Sequence, residues 1–235
     1  MVNKNNALHL VGAVLFLIAI LLGVLLTVVR AWPDMESALY GFAKDSYPRL
    51  RSLHCPVLMT SQDRLPVTVQ LTNPLNQDLT WFVRAQFSTN LLINTVEQTY
   101  VVKPGEIKTL SWEVDTQNID LRNLILAYSF TSPFAGLRMT EGTCGTYVLN
   151  VPIKGGPTIY YSGLGLSVLC VIAGLFFWQR YANLSEPGVI AQSWWMRFLA
   201  SVIAIGVVTS ILGWWFIGIV ALVLTMLTLV VYLVR

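Results

Sequence analysis

A run of about 22 apolar residues at positions 8–29 is the feature that most limits how this chain can fold. A helix rises about 1.5 Å per residue, so this run spans the roughly 30 Å hydrocarbon core of a bilayer. A cleaved signal peptide has a shorter apolar region that ends in small residues. Here Arg30 and the pair Trp32-Pro33 follow the run. The run therefore predicts an uncleaved transmembrane helix.

Two further apolar segments lie at residues 158–178 and 198–234. The chain is 55% hydrophobic and 11% charged, whereas soluble domains carry about 25% charged residues. The last segment, at about 37 residues, is too long for one straight span. We expect it to turn near Gly213 into two helices, as a full hairpin or a re-entrant pair. The sequence thus predicts an integral membrane protein with four transmembrane helices.

Between the first two apolar segments, the chain changes to an alternation of apolar and polar side chains. The alternation is clearest in residues 67–72, 79–88 and 110–114. It places one face of each strand in a core and the other in water. Turn sequences such as Asn73-Pro74 and Pro104-Gly105 separate the strands. About seven short strands at near-regular spacing are typical of a β-sandwich.

The segment VTVQLTNPLNQDLTWFVRAQ, followed by VVKPGEIKTLSWEV, resembles the immunoglobulin-like domains of bacterial cell-envelope proteins. Those domains show a strand, an Asn-Pro turn, a second strand, and then Pro-Gly-Glu before a strand with alternating apolar residues. The resemblance extends over residues 66–114. It implies an adhesive or scaffolding module and no catalytic residues.

The predicted fold is four transmembrane α-helices with one extracytoplasmic, all-β, immunoglobulin-like sandwich between helices 1 and 2. The predicted parts are helix 1 (1–32), an interfacial connector (33–54), the sandwich (55–152), helix 2 (153–180), a cytoplasmic loop (181–197) and helices 3 and 4 (198–235).

Cys55 and Cys144 stand at the two ends of the predicted sandwich. If they pair, they close a loop of about 90 residues, which stabilises the fold by about 4–5 kcal/mol in the chain-entropy model. Two free buried thiols are the alternative. A metal site is not predicted, because only His54 lies nearby as a further ligand and structural zinc sites typically need four. We expect a disulfide that ties the domain's ends together near the membrane.

The positive charges predict the orientation of the chain. Lys4, Arg180, Arg197 and Arg235 all fall on one side if four spans alternate across the bilayer, and the positive-inside rule makes that side cytoplasmic. A disulfide needs an oxidising compartment and therefore favours the same orientation. The sequence predicts a multi-pass protein of the cell membrane with both termini cytoplasmic and the β-domain extracytoplasmic.

Four small residues of the second apolar segment, Gly163, Ser167, Cys170 and Gly174, share one helical face. Such a stripe lets another helix approach closely in lipid, although chance placement in a glycine-tolerant span is the alternative. Aromatic residues near the ends of the apolar segments are expected to anchor the chain at the bilayer interfaces. These are Trp32, Tyr160, Tyr161, Trp178, Trp194, Trp195, Trp214 and Trp215.

His9 is a candidate ligand for a haem or a chlorophyll-type pigment, or simply a polar residue at the membrane interface. A second axial ligand is not evident, because the other histidine is His54. The primary prediction is therefore that no cofactor is bound. A net charge of +3 without a Lys/Arg run argues against nucleic-acid binding. No phosphate loop, paired carboxylates or Ser-His-Asp pattern is visible, so we expect a non-enzyme.

The sequence favours a non-catalytic accessory or scaffolding subunit of a prokaryotic membrane complex. It would dock through its sandwich and its small-residue helix face. The expected partners are other integral membrane subunits, the lipid bilayer and an extracytoplasmic protein. One alternative is an envelope sensor or adhesion protein that binds a ligand at the sandwich loops, with residues 132–138 as the candidate loop. The other is a pigment- or haem-associated subunit that uses His9.

Overall fold

The structure, a computed structural model, describes residues 4–40, 47–90, 92–134, 136–181, 187–212 and 214–234. Within them lie the helices α1 (Lys4–Leu39), α2 (Gly156–Tyr181), α3 (Pro187–Ile211) and α4 (Trp215–Val234). The strands are β1 (Leu58–Thr60), β2 (Leu65–Thr72), β3 (Leu79–Ser88), β4 (Ile93–Val102), β5 (Ile107–Val114), β6 (Leu124–Pro133) and β7 (Thr140–Leu149). The chain divides into a helical unit, Met1–Ala31 with Thr158–Arg235, and a β unit, Trp32–Pro157.

The prediction of four membrane spans is wrong. Among the described residues, the helices long and apolar enough to cross a membrane are Ala7–Leu39 and Gly156–Arg180. The apolar parts of α3 and α4, Trp194–Thr209 and Trp215–Val231, have at most 17 residues each. A helix of that length reaches only about 25 Å, which is short of a hydrocarbon core of roughly 30 Å.

The prediction of an immunoglobulin-like sandwich is also wrong. The strands form a five-stranded sheet in the order β1-β7-β6-β3-β4 and a separate two-stranded sheet of β2 and β5. The larger sheet is mixed, because β1 pairs in parallel with β7 while its other pairs are antiparallel. The alternation of side chains identified strands correctly, but it carries no information on which strands become neighbours.

The main core lies between the two sheets. It contains Val67 of β2 and Val114 of β5, together with Phe87 and Ile125 of the five-stranded sheet. Each of these side chains is at most 3% exposed. Alternation along β2 and β5 directs their apolar residues toward the larger sheet, so burial of this face holds the two sheets together.

The outer face of the five-stranded sheet is covered by the end of α1. On β6, Leu124 and Leu126 are fully buried although they point away from the main core. Register places Leu126 beside Gly145 of β7, and a Cβ added to Gly145 would lie 2.2 Å from the carbonyl oxygen of Pro33. The helix tail and the sheet therefore meet backbone to backbone, which only glycine permits.

Several predicted boundaries move. The connector predicted at 33–54 begins as helix, because α1 continues to Leu39 with Pro33 inside it. The loop predicted at 181–197 is helical from Pro187. Residues 182–186 and the predicted turn at Gly213 lie outside the described residues.

Within the helical unit, α1 and α2 approach closely. A Cβ on Gly12 would lie 2.7 Å from the backbone nitrogen of Trp178, and one on Gly174 would lie 2.8 Å from that of Phe16. Ser167 donates a hydrogen bond to the carbonyl oxygen of Ala19 at 3.1 Å. Small residues on both helices thus allow backbone contact.

Candidate functional site

The β unit has an open cleft where β4 extends beyond the cover of the β2–β5 pair. Register across β3 and β4 pairs Phe87 with Asn94 and Ala85 with Val96, so these side chains share the inner face of the sheet. Phe87 and Ala85 are buried, whereas Asn94 is exposed and Val96 is half-buried. The cover ends between the two strands, and the inner face of β4 opens to solvent.

The cleft has a volume of about 520 Å³, within the range of roughly 300–1,000 Å³ found for ligand sites. Its lining comes from β3, β4, β5 and the short 3-10 helix that follows β5. The lining residues are Phe87, Thr89, Asn94, Val96, Ser111, Trp112, Glu113, Asp115, Gln117 and Asn118.

Trp112 and Val96 supply the accessible apolar part of the cleft, beside the buried ring of Phe87. The ring centroids of Phe87 and Trp112 are 6.1 Å apart at an interplanar angle of 56°. Trp112 lies on the same face of β5 as the buried residues Leu110 and Val114, so its ring points toward the larger sheet. It remains half-buried, and in the described part of the chain no strand pairs with β5 on the side away from β2. A ring in this position offers apolar contact to a bound molecule.

One wall of the cleft is the turn that begins at Asp115. Its carboxylate accepts a hydrogen bond from the backbone N–H of Gln117 at 2.9 Å, and its own N–H donates to the side chain of Asn118 at 3.1 Å. The Ser88 hydroxyl donates to the carbonyl oxygen of Asn118 at 2.8 Å. Arg64 lies 3.5 Å from the Asp115 carboxylate. These contacts fix the turn. They do not involve the side chains of Glu113 and Gln117.

Four polar side chains of the lining are available to a ligand. Asn94, Ser111, Glu113 and Gln117 are exposed, and in the described part of the chain their side chains make no hydrogen bond or ion pair. The lining contains the carboxylates of Glu113 and Asp115 but no lysine or arginine. The cleft therefore combines apolar surface with free amides and a negative charge.

A lysine crosses from β5 to β4 near the other end of β5. The Lys108 ammonium donates to the carbonyl oxygen of Val101 at 3.3 Å and lies 5.4 Å from the ring centroid of Tyr100. Such a position over an aromatic face is favourable for a cation. Burial raises the pKa of the Tyr100 hydroxyl, so the phenol stays neutral beside the ammonium.

Three carboxylates elsewhere in the described part of the β unit, those of Asp34, Asp63 and Glu141, are buried and have structural partners. Glu141, 5% exposed, accepts a hydrogen bond from the hydroxyl of Tyr128 at 2.9 Å. Burial, and then the contact with Glu141, raise the pKa of Tyr128. Asp63 accepts bonds from the backbone N–H groups of Thr60, Gly155 and Gly156 at 2.8–2.9 Å. In the described residues, no three His, Cys, Asp or Glu side chains are grouped to hold a metal.

Cys55 and Cys144 form a disulfide, as the sequence predicts. Cys144 belongs to the buried cluster between the sheets, and Cys55 packs against the same cluster. The bond therefore lies within the core of the β unit.

The small-residue stripe of α2 faces α1 of the same chain. Ser167 bonds to α1, and Gly174 touches its backbone. A Cβ on Gly163 would lie 3.5 Å from Leu26, and Cys170 is a buried free thiol. The face that we expected to dock another subunit is therefore already occupied.

The predicted interface anchors differ in exposure. Trp32, Tyr161, Trp194 and Trp214 are exposed, Trp195 and Trp215 are half-buried, and Tyr160 and Trp178 are buried. The His9 ring lies against the Trp178 indole with centroids 3.9 Å apart. In the described residues, the Nε2 atom of His9 and the Nε1 atom of Trp178 are buried without a hydrogen-bond partner.

The loop predicted to bind a ligand, residues 132–138, does not line the cleft. Phe134 in this loop is 69% exposed, and Ala135 lies outside the described residues. Sequence reasoning missed Asn94, Trp112 and the turn at Asp115 as site residues. The signal that could have revealed them is in β4, where polar residues occupy both faces.

Comparisons with known proteins do not assign the chain to a family. No protein-family model and no curated protein matches it. A β-glucuronidase from Bacteroides uniformis is 14% identical, with a TM-score of 0.31, over 43% of this chain and 12% of the enzyme. A chaperone–tip adhesion subunit pre-assembly complex of archaic Csu pili from Acinetobacter baumannii is 16% identical, with a TM-score of 0.26, over 41% of this chain and 54% of the matched chain.

Proposed function

We propose that the protein is a non-catalytic docking subunit, anchored in a cell membrane by α1 and α2, which holds an extracytoplasmic partner in the β-unit cleft. The observation that carries the proposal is the uncovered inner face of β4 beside the half-buried ring of Trp112. Exposed apolar surface bordered by unpaired amides and a carboxylate is typical of a binding site. The lining offers no nucleophile paired with a base, which favours binding over catalysis.

The membrane placement rests on two helices and on the chemistry around them. Ala7–Leu39 and Gly156–Arg180 have the length and composition of membrane spans. Lys4 precedes the first and Arg180 ends the second, so the positive-inside rule puts both on the cytoplasmic side. The β strands lie between these helices in sequence, and the Cys55–Cys144 disulfide fits an oxidising space outside the cytoplasm.

Docking through the cleft replaces docking through the helical stripe. The stripe on α2 contacts α1, which leaves it no free surface for another subunit. The role as an accessory subunit therefore depends on the β unit. A sensor or adhesion protein that binds a small ligand in the same cleft is the second candidate, and the free amides of Asn94 and Gln117 are the observation that favours it.

The test is copurification of the protein with its partners from native membranes after gentle detergent extraction. The substitution Asn94→Arg places a bulky cation in the cleft and is expected to remove any partner held there at fixed ratio. Thr99→Arg is the matched control, because Thr99 is exposed on the opposite face of the same strand.

Partner binding that survives Asn94→Arg, or that is lost equally with Thr99→Arg, would refute docking in the cleft. A wild-type protein that copurifies with no partner would favour the small-ligand candidate instead.

A further inference from the structure

We infer that the cleft receives an extended peptide segment of the partner, which adds as a third strand to the free edge of β5. This inference rests on the proposed docking function and specifies the chemistry of what is docked. It follows from the pairing of the strands, from the alternation of side chains along β5, and from the charge of the cleft.

Two strands at the cleft, β4 and β5, each lie at the edge of a sheet. All eight residues of β5 pair with β2 along one edge. Among the described residues, β5 has no other strand neighbour and β4 pairs only with β3. Each strand therefore presents on its other edge a row of backbone N–H and C=O groups without a strand partner, although Lys108 bonds to the Val101 carbonyl of β4. Such a row is a template for pairing with another chain. Both β4 and β5 contribute residues to the lining of the cleft.

A new strand beside β5 would complete the cover of the larger sheet. Neighbouring strands are about 4.8 Å apart, so a strand added to β5 would extend the two-stranded sheet over the inner face of β4. That face has no cover at Asn94 and only partial cover at Val96. The added strand would occupy the cleft and remove the ring of Trp112 from water.

The alternation of side chains along β5 determines which residues the segment must carry. Inward positions of β5, such as Trp112, alternate with the outward positions Ser111 and Glu113. A strand paired with β5 presents its own side chains with the same alternation. Residues that face Phe87 and Val96 should therefore be apolar, and residues between them should be polar. Main-chain pairing gives affinity in this mode, and alternate side chains give specificity.

The negative charge of the cleft determines one residue of the segment. Of the two carboxylates in the lining, Asp115 pairs with Arg64, while Glu113 is exposed and has no partner among the described residues. Opposite charges on directly paired positions stabilise adjacent strands, and like charges destabilise them. The segment should therefore place a lysine or arginine opposite Glu113.

The two ends of the cleft limit the length of the segment. Lys108 bonds to Val101 across the two strands at one end of β5, and the turn at Asp115 lies at the other. The lining residues from this side begin at Ser111 and reach Asp115. A segment of about five residues fills this interval.

The probe is the peptide acetyl-TVKVTV-amide, labelled with a fluorophore and titrated onto the full-length protein in detergent micelles. Two series of N-methylated peptides test the mode of binding, with methyl groups on odd or on even residues. In an added strand, only alternate N–H groups point to β5. We expect one series to lose at least about tenfold in affinity and the other to bind within about twofold of the parent.

The charge is tested by exchange. Glu113→Lys should weaken binding of acetyl-TVKVTV-amide by at least about tenfold. The same variant should bind acetyl-TVEVTV-amide about as tightly as the wild-type protein binds acetyl-TVKVTV-amide. Asp78→Lys changes the net charge equally at an exposed residue outside the lining, so it should leave binding unchanged.

Three outcomes would overturn the inference. These are no binding at about 1 mM peptide, equal effects of both N-methyl series, or saturable binding of an oligosaccharide such as chitotriose that displaces the peptide. Failure here is separable from failure of the docking function. If Asn94→Arg removes the native partner while the N-methyl series behave alike, docking stands and strand addition falls. If Asn94→Arg leaves the partner bound, the docking function itself falls.

Discussion

The carboxylate of Asp34 accepts a hydrogen bond from the backbone N–H of Gly145 at 3.0 Å, across 111 residues of sequence. Asp34 is 6% exposed. This bond joins the tail of α1 to the outer face of β7, and Gly145 lets the backbone of Pro33 lie directly against the strand. A buried, charge-assisted hydrogen bond of this kind contributes more than one between neutral groups.

Replacing Gly145 with alanine should destabilise the β unit by about 3 kcal/mol, the upper end for overpacking. The added Cβ would lie 2.2 Å from the carbonyl oxygen of Pro33, so the helix tail must move. Gly142→Ala on the same strand is the matched control. Its Cβ would lie 3.0 Å from the nearest atom, the oxygen of Leu50, and should cost about 1 kcal/mol. Denaturant unfolding of the full-length protein measures both, and equal losses would contradict the role of Gly145.

Acid should weaken the β unit through Asp63. Burial acts to raise the pKa of Asp63, but hydrogen bonds from Gly155, Gly156 and Thr60 outweigh it and lower the pKa below its ordinary value of 3.8. The ionised carboxylate therefore stabilises the fold fully above the unfolded pKa, and this contribution disappears as the pH falls through the folded value.

Asp63→Asn should accordingly lower the free energy of unfolding by about 1–3 kcal/mol at pH 7. The gap to the wild-type protein should narrow below about pH 4. Asp78→Asn, at an exposed carboxylate, serves as control and should change the free energy of unfolding at pH 7 by less than about 0.5 kcal/mol. A constant gap across the whole pH range would show that the charge on Asp63 is not what stabilises the fold.

Removing the disulfide should have a large effect. The Cys55→Ser, Cys144→Ser double variant opens a loop closed across a sequence separation of 89 residues and should lose about 4–5 kcal/mol. Thermal unfolding with and without reductant measures this loss, and only the protein with the bond should respond to reductant. Cys170→Ser, at the buried free thiol, should keep the full response. A double variant as stable as the oxidised wild-type protein would contradict the prediction.

Contact between α1 and α2 should depend on Gly174. Gly174→Leu forces a side chain into the backbone of Phe16, which lies 2.8 Å from the added Cβ. Gly165→Leu on the same helix is the control, because nothing lies within 4 Å of its Cβ. We expect a lower midpoint of thermal unfolding in detergent for Gly174→Leu only. If both variants melt alike, the small residue at 174 has no special role in packing.

The strands that the sequence predicted best are those with one face in the main core. On β2 and β5, Val67, Val69, Leu110 and Val114 are buried in alternation with polar residues, so local pattern and tertiary environment agree. Strand β7 was expected at residues 146–151 but forms at Thr140–Leu149. Its glycines accommodate Leu50 and Pro33 from distant parts of the chain, and a local pattern holds no record of such contacts.

The cleft was not predicted, because it depends on which strands become neighbours. The alternation on β5 identified Trp112 as a core residue, but its partial exposure follows from the pairing of β5, which among the described strands has β2 as its single neighbour. The prediction of four spans failed for a different reason. Hydrophobicity marked residues 198–234 as lipid-like, yet the described apolar lengths of α3 and α4 are at most 17 residues.

The parallel pairing of β1 with β7 also affects when the sheet can be completed. Leu58 pairs with Tyr147 and Thr60 with Leu149, so the first strand must wait for the last to emerge during synthesis. Contacts of such sequence separation slow folding, because the chain loses loop entropy before the contact forms. A nascent chain that ends before β7 leaves one side of β6 unpaired and prone to aggregation. Protection of this edge during synthesis is therefore a requirement that the topology itself imposes on the cell.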